Sequence, residues 1–355
     1  MLQTQLPPFS WKYTENVPQI LNELGCSIVI STYQAGKLVL ISPVGNKLVQ
    51  LPRTFAKPMG IHLSDDNSKM VLACKDEVIT FKNSAALAKH YPKSPNKYDA
   101  LFLPRSTYHT GAIDVHDISF GSDGIYAVNT MFSCITKINE DYNFEPVWKP
   151  SFVSEIASED RCHLNGMVMV NGKPKYVSAF STDDTHQGWR NDILNTGVII
   201  DTTNDEIIAS GLSMPHSPRL INNDLYVLMS GTGDLVKIDT GTGTKSTILN
   251  LEGFVRGMSH FKDYLFIGVS KLRSGSSTFE KLDLSKFRNR SEIAIVHLPT
   301  AKVVGQIEYL NSVEEVYDVQ VLPGLSRPNI LNTLTEDHKA ALSIPTATFW
   351  AKPKS

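Results

Sequence analysis

"HDISFGSDGIYAV", residues 116–128, ends in an apolar strand, turns on glycine and aspartate in its middle, and carries a histidine ten positions before Tyr126. The layout returns in "HSPRLINNDLYVL", residues 216–228, with His216 ten before Tyr226, and in "RGMSHFKDYLFIG", residues 256–268, with Arg256 ten before Phe266. "HLNGMVMVNGKPKYVSA", residues 163–179, fits with about three extra residues in its turn, which sets His163 ahead of Tyr176. An earlier copy begins near Pro58 and Met59, and a last one near Glu315 to Asp318.

His116, His163, His216 and Arg256 are therefore separated by 47, 53 and 40 residues, the length of a four-stranded propeller blade. Along the chain lie short β-rich runs such as "SIVIST", "TGVIIDTTNDEIIAS" and "YLFIGVS", separated by Asn, Asp or Gly turns that suit antiparallel hairpins. Residues 27–52 supply three strands without a leading one, and the chain offers no further clear blade after "YDVQVLPG". Joining the C-terminal strand to the N-terminal trio closes the ring and removes its edges. The expectation is an all-β, six-bladed β-propeller closed by pairing of its N- and C-terminal strands. A seven-bladed ring and a pair of β-sandwiches are the alternatives. Residues 1–24 form an N-terminal extension with a short helix, "VPQILNELG", ended by a C-cap glycine; 25–323 form one propeller domain, and 324–355 a C-terminal extension. "KHYPKSPNKYDALFLPRSTYHTG", residues 89–111, breaks the rhythm and is a candidate lid or partner surface.

The composition is that of an ordinary globular chain: 355 residues, 41% hydrophobic, 20% charged, formal net charge -2. Nothing in that balance favours nucleic acid or an anionic membrane, and no run of 18 apolar residues offers a transmembrane helix. The opening "MLQTQLPPFSWKYTENV" lacks the basic flank and apolar stretch of a signal peptide. Cys26, Cys74, Cys134 and Cys162 lie far apart without a CxxC, which suits small buried thiols in a cytoplasmic protein. A homo-oligomer is compatible with all of this.

In a propeller the leading end of each inner strand opens onto one face of the axial channel. His116, His163 and His216 then converge on that rim, with Arg256 on the next blade and Glu314, Glu315 or Asp318 closing the circle. Three neutral imidazoles are good ligands for zinc, iron, manganese or copper and leave a position open for water or substrate. Asp114, Asp117, Glu159 and Asp160 are candidates to orient those rings. The plainer reading is that such rings bond backbone carbonyls or channel water. His163 with Glu159 is the candidate acid/base pair, and Arg256 the anchor for an anionic group. Trp189 and Arg190 of "STDDTHQGWR" are candidates to stack on and charge-pair a planar or anionic ligand; packing of Trp189 against the rim is the alternative. In "MPHSPR", Arg219 has carbonyls to bond, since Pro215 and Pro218 remove two backbone donors. "SGTGDLVKIDTGTGTK" has the glycines of a phosphate loop but neither its helix nor its lysine, and reads as a hairpin. No nucleotide or organic cofactor is expected, because GxSxG, HExxH, Rossmann and Walker patterns are all missing from the sequence.

The motifs "STYQAGKLVLI", "VNTMFSC", "EDRCHLNG", "GWR", "MPHSPR", "SGTGDL", "GFVRGMSHFKDYLFIGVSK" and "VEEVYDVQVLPG" resemble a family of conserved hypothetical bacterial proteins found in cyanobacteria and proteobacteria. The resemblance covers most of the chain and implies a propeller-like fold, without a reaction, substrate or cofactor. Its motif positions are Glu159, Asp160, Arg161, His163, Asn165, Trp189, Arg190, His216, Ser217 and Arg219, while His186 departs from the expected "GWR" loop. The leading expectation is an enzyme at the channel mouth, metal-dependent or not, acting on a small and anionic substrate as lyase, isomerase, hydrolase or oxygenase. Asp160, Arg161, Asn165, Trp189, Arg190, Ser217, Arg219 and Glu315 are the ligand-binding candidates. A non-catalytic propeller that binds a small ligand or a protein is the alternative.

Overall fold

The computed structural model describes residues 6–272, 281–283, 285 and 287–351. Strands with buried residues at nearly every position, such as Cys26–Thr32 and Tyr264–Ser270, sit in the middle of small sheets and face neighbours on both sides. Six sheets result. The first blade runs from its inner strand outward as Asp318–Pro323, Cys26–Thr32, Lys37–Val44 and Lys47–Thr54. The second is Ile61–Leu63, Lys69–Ala73, Glu77–Asn83 and Ala100–His109; the third is Val115–Gly121, Gly124–Asn129, Cys134–Ile138 and Glu145–Trp148. The fourth is Leu164–Val170, Lys173–Ala179, Gly197–Asp201 and Glu206–Leu212; the fifth is Pro215–Ile221, Asp224–Met229, Asp234–Ile238 and Lys245–Asn250. The sixth is Phe254–Phe261, Tyr264–Ser270, Ser291–His297 and Lys302–Tyr309.

Each inner strand touches the inner strand of the next blade, and the series returns to its start. The chain is thus a six-bladed β-propeller. Its closure is the expected one: Asp318–Pro323 pairs antiparallel with Cys26–Thr32, Ser31 opposite Asp318 and Cys26 opposite Pro323. Helix Val17–Leu24, started by Pro18 and stopped by the left-handed Gly25, buries Val17, Ile20, Leu21 and Leu24 over the seam between the first and sixth blades. Trp11–Tyr13 adds a fifth strand to the sixth blade. Pro328–Ile330 pairs in parallel with Ala100–Phe102 outside the second blade.

Residues 89–111 do not form a lid. Ten of them are the outer strand Ala100–His109, and Tyr91 and Tyr98 pack on the periphery with Leu331 and Trp350. Among the described residues no helix is long and apolar enough to cross a membrane. Cys26, Cys74, Cys134 and Cys162 are buried free thiols.

Around the axis the seams between blades are closed in two alternating ways. Asp117 accepts from Met167 N of the fourth blade at 3.1 Å, Ser217 Oγ from Gly257 N of the sixth at 2.9 Å, and Asp318 from Ile61 N of the second at 2.9 Å. At the same level the intervening seams are closed by glycine, and two residues further along the inner strand His62 Nδ1 accepts from Phe120 N at 3.3 Å and Ser259 Oγ from Val321 N at 3.1 Å. A Cβ on Gly60 would sit 3.2 Å from Asp117 Cα, one on Gly166 2.5 Å from Pro218 Cδ, and one on Gly257 2.7 Å from Asp318 Cα. The blades are therefore paired, and the ring has an approximate three-fold repeat: His116, His216 and Tyr317 follow one another at intervals of 100 and 101 residues.

Gly257→Ala combines a backbone clash with a φ of +74°, and a loss of about 2–4 kcal/mol follows from overpacking plus the left-handed backbone. Gly324→Ala, with φ +69° but nothing within 4 Å, isolates the backbone term at about 1 kcal/mol. Urea unfolding of the two variants measures the steric cost at the seam as the difference.

Candidate functional site

The axial ring is set by register. Ser119 pairs with Tyr126, Val168 with Tyr176, Arg219 with Tyr226, Ser259 with Phe266, Gln320 with Val29 and His62 with Val71. The residues three positions before these inner-strand partners are His116, Asn165, His216, Arg256, Tyr317 and Met59. His116, His216 and Arg256 are therefore equivalent, as the repeat implied. His163 is not: Asn165 holds its place in the fourth blade, and His163 reaches the axis from the turn before the strand, at φ 51°.

Hydrogen-bond accounting assigns the tautomers. His116 Nδ1 lies 3.1 Å from the carbonyl of Asp114 and 2.8 Å from Thr130 Oγ1, whose own proton goes to the Leu164 carbonyl at 2.6 Å. Both neighbours are acceptors, so Nδ1 carries the hydrogen. His216 repeats the arrangement with the Met214 carbonyl at 3.0 Å and Ser230 Oγ at 2.6 Å, the serine donating to the Val255 carbonyl. His163 Nδ1 donates to the Asp160 carboxylate at 3.0 Å, and Trp189 Nε1 donates to the same carboxylate at 2.9 Å. Each Nε2 lone pair is left without a protein partner among the described residues.

These rings line a cavity of about 200 Å³ at the channel mouth, with Asp114, Phe180, Trp189, Phe254 and Tyr317 among its walls. His163 meets His116 edge-on at 4.8 Å and lies 4.3 Å from the Trp189 ring, centroid to centroid. Phe180 stands between His163, at 4.4 Å, and His216, at 5.1 Å. Among the described residues no group of three His, Cys, Asp or Glu is placed to hold a metal ion. Arg256 stacks 3.6 Å over the Tyr317 ring and bonds Glu315 at 3.0 Å. Lys271 also lines the cavity, and its ammonium meets no carboxylate among the described residues.

The remaining expected residues fall into three places. Glu159 is tied to Arg161 at 2.7 Å and does not line the cavity, so the partner of His163 is Asp160 rather than Glu159. Arg161 itself is a buried clamp that gathers Glu155, Glu159 and Asp184 and holds residues 155–163 against the loop 180–196, outside the cavity. Arg190 stacks on Trp189 at 4.2 Å and bonds Gln187. Asn165, Ser217 and Arg219 lie deeper, around a second small chamber. His186 is exposed. Tyr317, Phe180, Tyr33, Phe254 and Lys271 were not anticipated. Tyr317, next to the expected Asp318, could have been found by aligning the pair with His116–Asp117 and His216–Ser217.

Around the mouth and the chamber behind it, Asp114, Asp160, His163, Met214 and Ser217 all have φ between 48° and 54°, a costly conformation for residues with a Cβ.

A family model described as a domain of unknown function, DUF4915, matches residues 15–331. No curated protein matches significantly. Among solved structures, a nidogen/laminin complex aligns with TM-score 0.54 at 8% identity over 84% of this chain and 99% of that one. A protein of unknown function from Bacteroides caccae aligns with TM-score 0.52 at 10% identity over 84% of this chain and 98% of that one. At such identities the likeness extends to the fold alone.

Burial holds His116 and His62 at about 4 and His216 well below its ordinary 6.5. These imidazoles thus bind fewer protons in the folded than in the unfolded chain between pH 6.5 and about 4, and the stability they contribute above pH 6.5 is lost as pH falls through that window. Asp318, raised by burial to about 7, acts with opposite sign, as do Glu77 and Glu292, which burial also raises. His116→Asn should flatten the acid limb of a plot of urea midpoint against pH; an unchanged slope would place the effect elsewhere.

Proposed function

The chain belongs to the DUF4915 family, and we propose that its channel mouth is the active site of an enzyme for a small hydroxylated anion, with His163 as general base. The reading rests chiefly on the Asp160–His163 pair. A buried carboxylate fixes the proton on Nδ1 and turns a free Nε2 lone pair towards the cavity, and it stabilises the imidazolium formed when that nitrogen takes a proton. Trp189 holds the far side of the same carboxylate, so Asp160 is a positioning residue. His116 and His216, neutral near pH 7, present two further acceptors suited to ligand hydroxyls. Lys271 and the Arg256–Glu315 pair supply charge for a carboxylate. The aromatic walls exclude water and stack on the ligand's apolar face. Proton abstraction next to a carboxylate, as in a lyase or isomerase, uses all of these groups.

A second reading has one observation in its favour. Imidazoles that donate Nδ1–H to carbonyl or carboxylate are held as metal-binding histidines are, and closer approach of the three rings would let His116, His163 and His216 share a zinc, iron, manganese or copper ion. Cytoplasmic residence is part of the proposal, supported by four unpaired buried thiols. A non-catalytic binding role is its fallback.

A thermal-shift series of small hydroxy acids, their deoxy analogues and neutral polyols tests the ligand class. Stabilisation by the hydroxy acids alone, lost in Lys271→Ala, is expected. Deuterium incorporation from heavy water into the bound acid should fall by a factor of about 10²–10⁴ in His163→Gln, and Asp160→Asn should shift its pH profile. Incorporation that survives His163→Gln refutes the base assignment. Stoichiometric metal in the purified protein that disappears in His163→Ala would favour the second reading.

A further inference from the structure

The turns that lead into the inner strands present a second tier of side chains at the mouth. Two residues before His116, Asn165, His216, Arg256 and Tyr317 stand Asp114, His163, Met214, Phe254 and Glu315, and all five line the cavity. Asp114, His163 and Met214 have φ of 54°, 51° and 50°, so the third, fourth and fifth blades present this residue from the same left-handed backbone. The base His163 therefore has a register neighbour, Asp114, on the blade beside it. Glu315 and His163 are engaged within the protein: Glu315 bonds Arg256 at 3.0 Å, and His163 bonds Asp160 at 3.0 Å. Asp114 is engaged through its backbone, whose carbonyl lies 3.1 Å from His116 Nδ1 and accepts from Thr130 N at 3.4 Å. Its carboxylate comes within 3.7 Å of His116 Nδ1 but accepts no hydrogen bond among the described residues, and the side chain is 36% exposed. The field of that carboxylate reaches both the His116 imidazole and the Tyr317 phenol, two groups of the cavity wall.

Lys271 lines the cavity from the sixth blade, which faces the third across a six-bladed ring. A ligand that meets both Lys271 and Asp114 must therefore cross the mouth. A cavity of about 200 Å³, taken as a sphere, is about 7 Å across, and a staggered carbon chain gains about 1.3 Å per bond, so the crossing takes about four to six carbons. Met214 and Phe254 leave the fifth- and sixth-blade rim apolar, which suits the C–H edge of such a chain and disfavours a second charged end there. We propose, on the reading of the mouth as an anion site with His163 as base, that Asp114 determines its specificity. The substrate is a polyhydroxylated acid: its carboxylate lies on Lys271, a hydroxyl-bearing carbon lies at His163, and a distal hydroxyl donates to Asp114.

Calorimetric titration of the purified chain with lactate, threonate, gluconate, neutral sorbitol and γ-aminobutyrate tests this. The tighter of threonate and gluconate should bind about ten- to a hundredfold more strongly than lactate, the factor one hydrogen bond to a charged group supplies. Asp114→Gly removes the carboxylate and accepts the left-handed backbone; in it that advantage should vanish while lactate binds as before. Asp114→Asn, which also tolerates this backbone, should lose most of the advantage and serves if the glycine variant does not fold. Lactate bound as tightly as the longer acids overturns the proposal and leaves the anion site and its base standing, as does an advantage that persists in both variants. Tighter binding of γ-aminobutyrate would assign Asp114 to an ammonium group and overturns it as well. Acids bound no better than sorbitol would refute the anion site itself, and the specificity with it.

Discussion

Six wedges of sheet can meet around an axis only if their inner strands come closer than ordinary side chains permit. This chain meets that constraint with two alternating devices. Glycine at 60, 166 and 257 lets the backbone of one blade lie on the backbone of the next. At the other seams Asp117, Ser217 and Asp318 cross the gap and take up a backbone N–H that has no strand partner there. Each device needs the other. The glycines press against the very residues, Asp117, Ser217–Pro218 and Tyr317–Asp318, whose side chains reach forward to the following blade. Hydrophobic packing between the sheets supplies most of the stabilisation, but it is indifferent to small rotations. The polar and glycine contacts fix the rotation of each blade, and with it the height of every axial side chain.

That fixed height makes a site possible. One residue before each bridging group stands His116, His216 or Tyr317, so the blades that donate the bridge also present the large planar side chains. Thr130 and Ser230, each 14 residues after its histidine, bond the next blade and the imidazole together. The ring tautomer is therefore a consequence of how the blades are joined. A change that loosens a seam would also release an imidazole, and this links stability to whatever the mouth does.

The fold was legible because period and strand pattern survive in "HDISFGSDGIYAV" and its copies, and because closure follows from which strands were missing at each end. The site was only partly legible. Periodicity placed His116, His216 and Arg256, but the longer turn in residues 163–179 hid that Asn165, not His163, holds the register. Glu159 looked like a partner for His163 because of proximity in sequence, yet Asp160 has the left-handed backbone that aims its carboxylate at the ring. The interruption at residues 89–111 drew attention as a lid, whereas the one after Ser270 went unread. Strand order separates them. A loop between the second and third strands of a blade returns to the mouth face, as 180–196 does and as the described residues Lys271, Leu272 and Leu282 of the sixth blade do. One between the third and fourth strands leaves from the opposite face, as residues 84–99 do.

The departures from the repeat say more about function than the repeat does. Were the ring symmetric, the fourth blade would contribute only Asn165 and a short turn. It contributes in addition a strained turn bearing Asp160 and His163, and the long loop that delivers Phe180 and Trp189. Lys281 of the sixth blade fastens that loop by donating to the carbonyls of Arg190 and Asn191 at 2.7 Å, and Leu272, Leu282 and Phe287 pack on it from the same side. Arg161 clamps it from beneath through Asp184. Stability of the ring asks for none of this. A short turn like Thr130–Ser133 would close the blade at lower conformational cost, and the left-handed residues add strain. The structure spends its irregularity on holding one imidazole, one carboxylate and one indole in contact at the edge of an open cavity. A merely structural histidine has no need of such support.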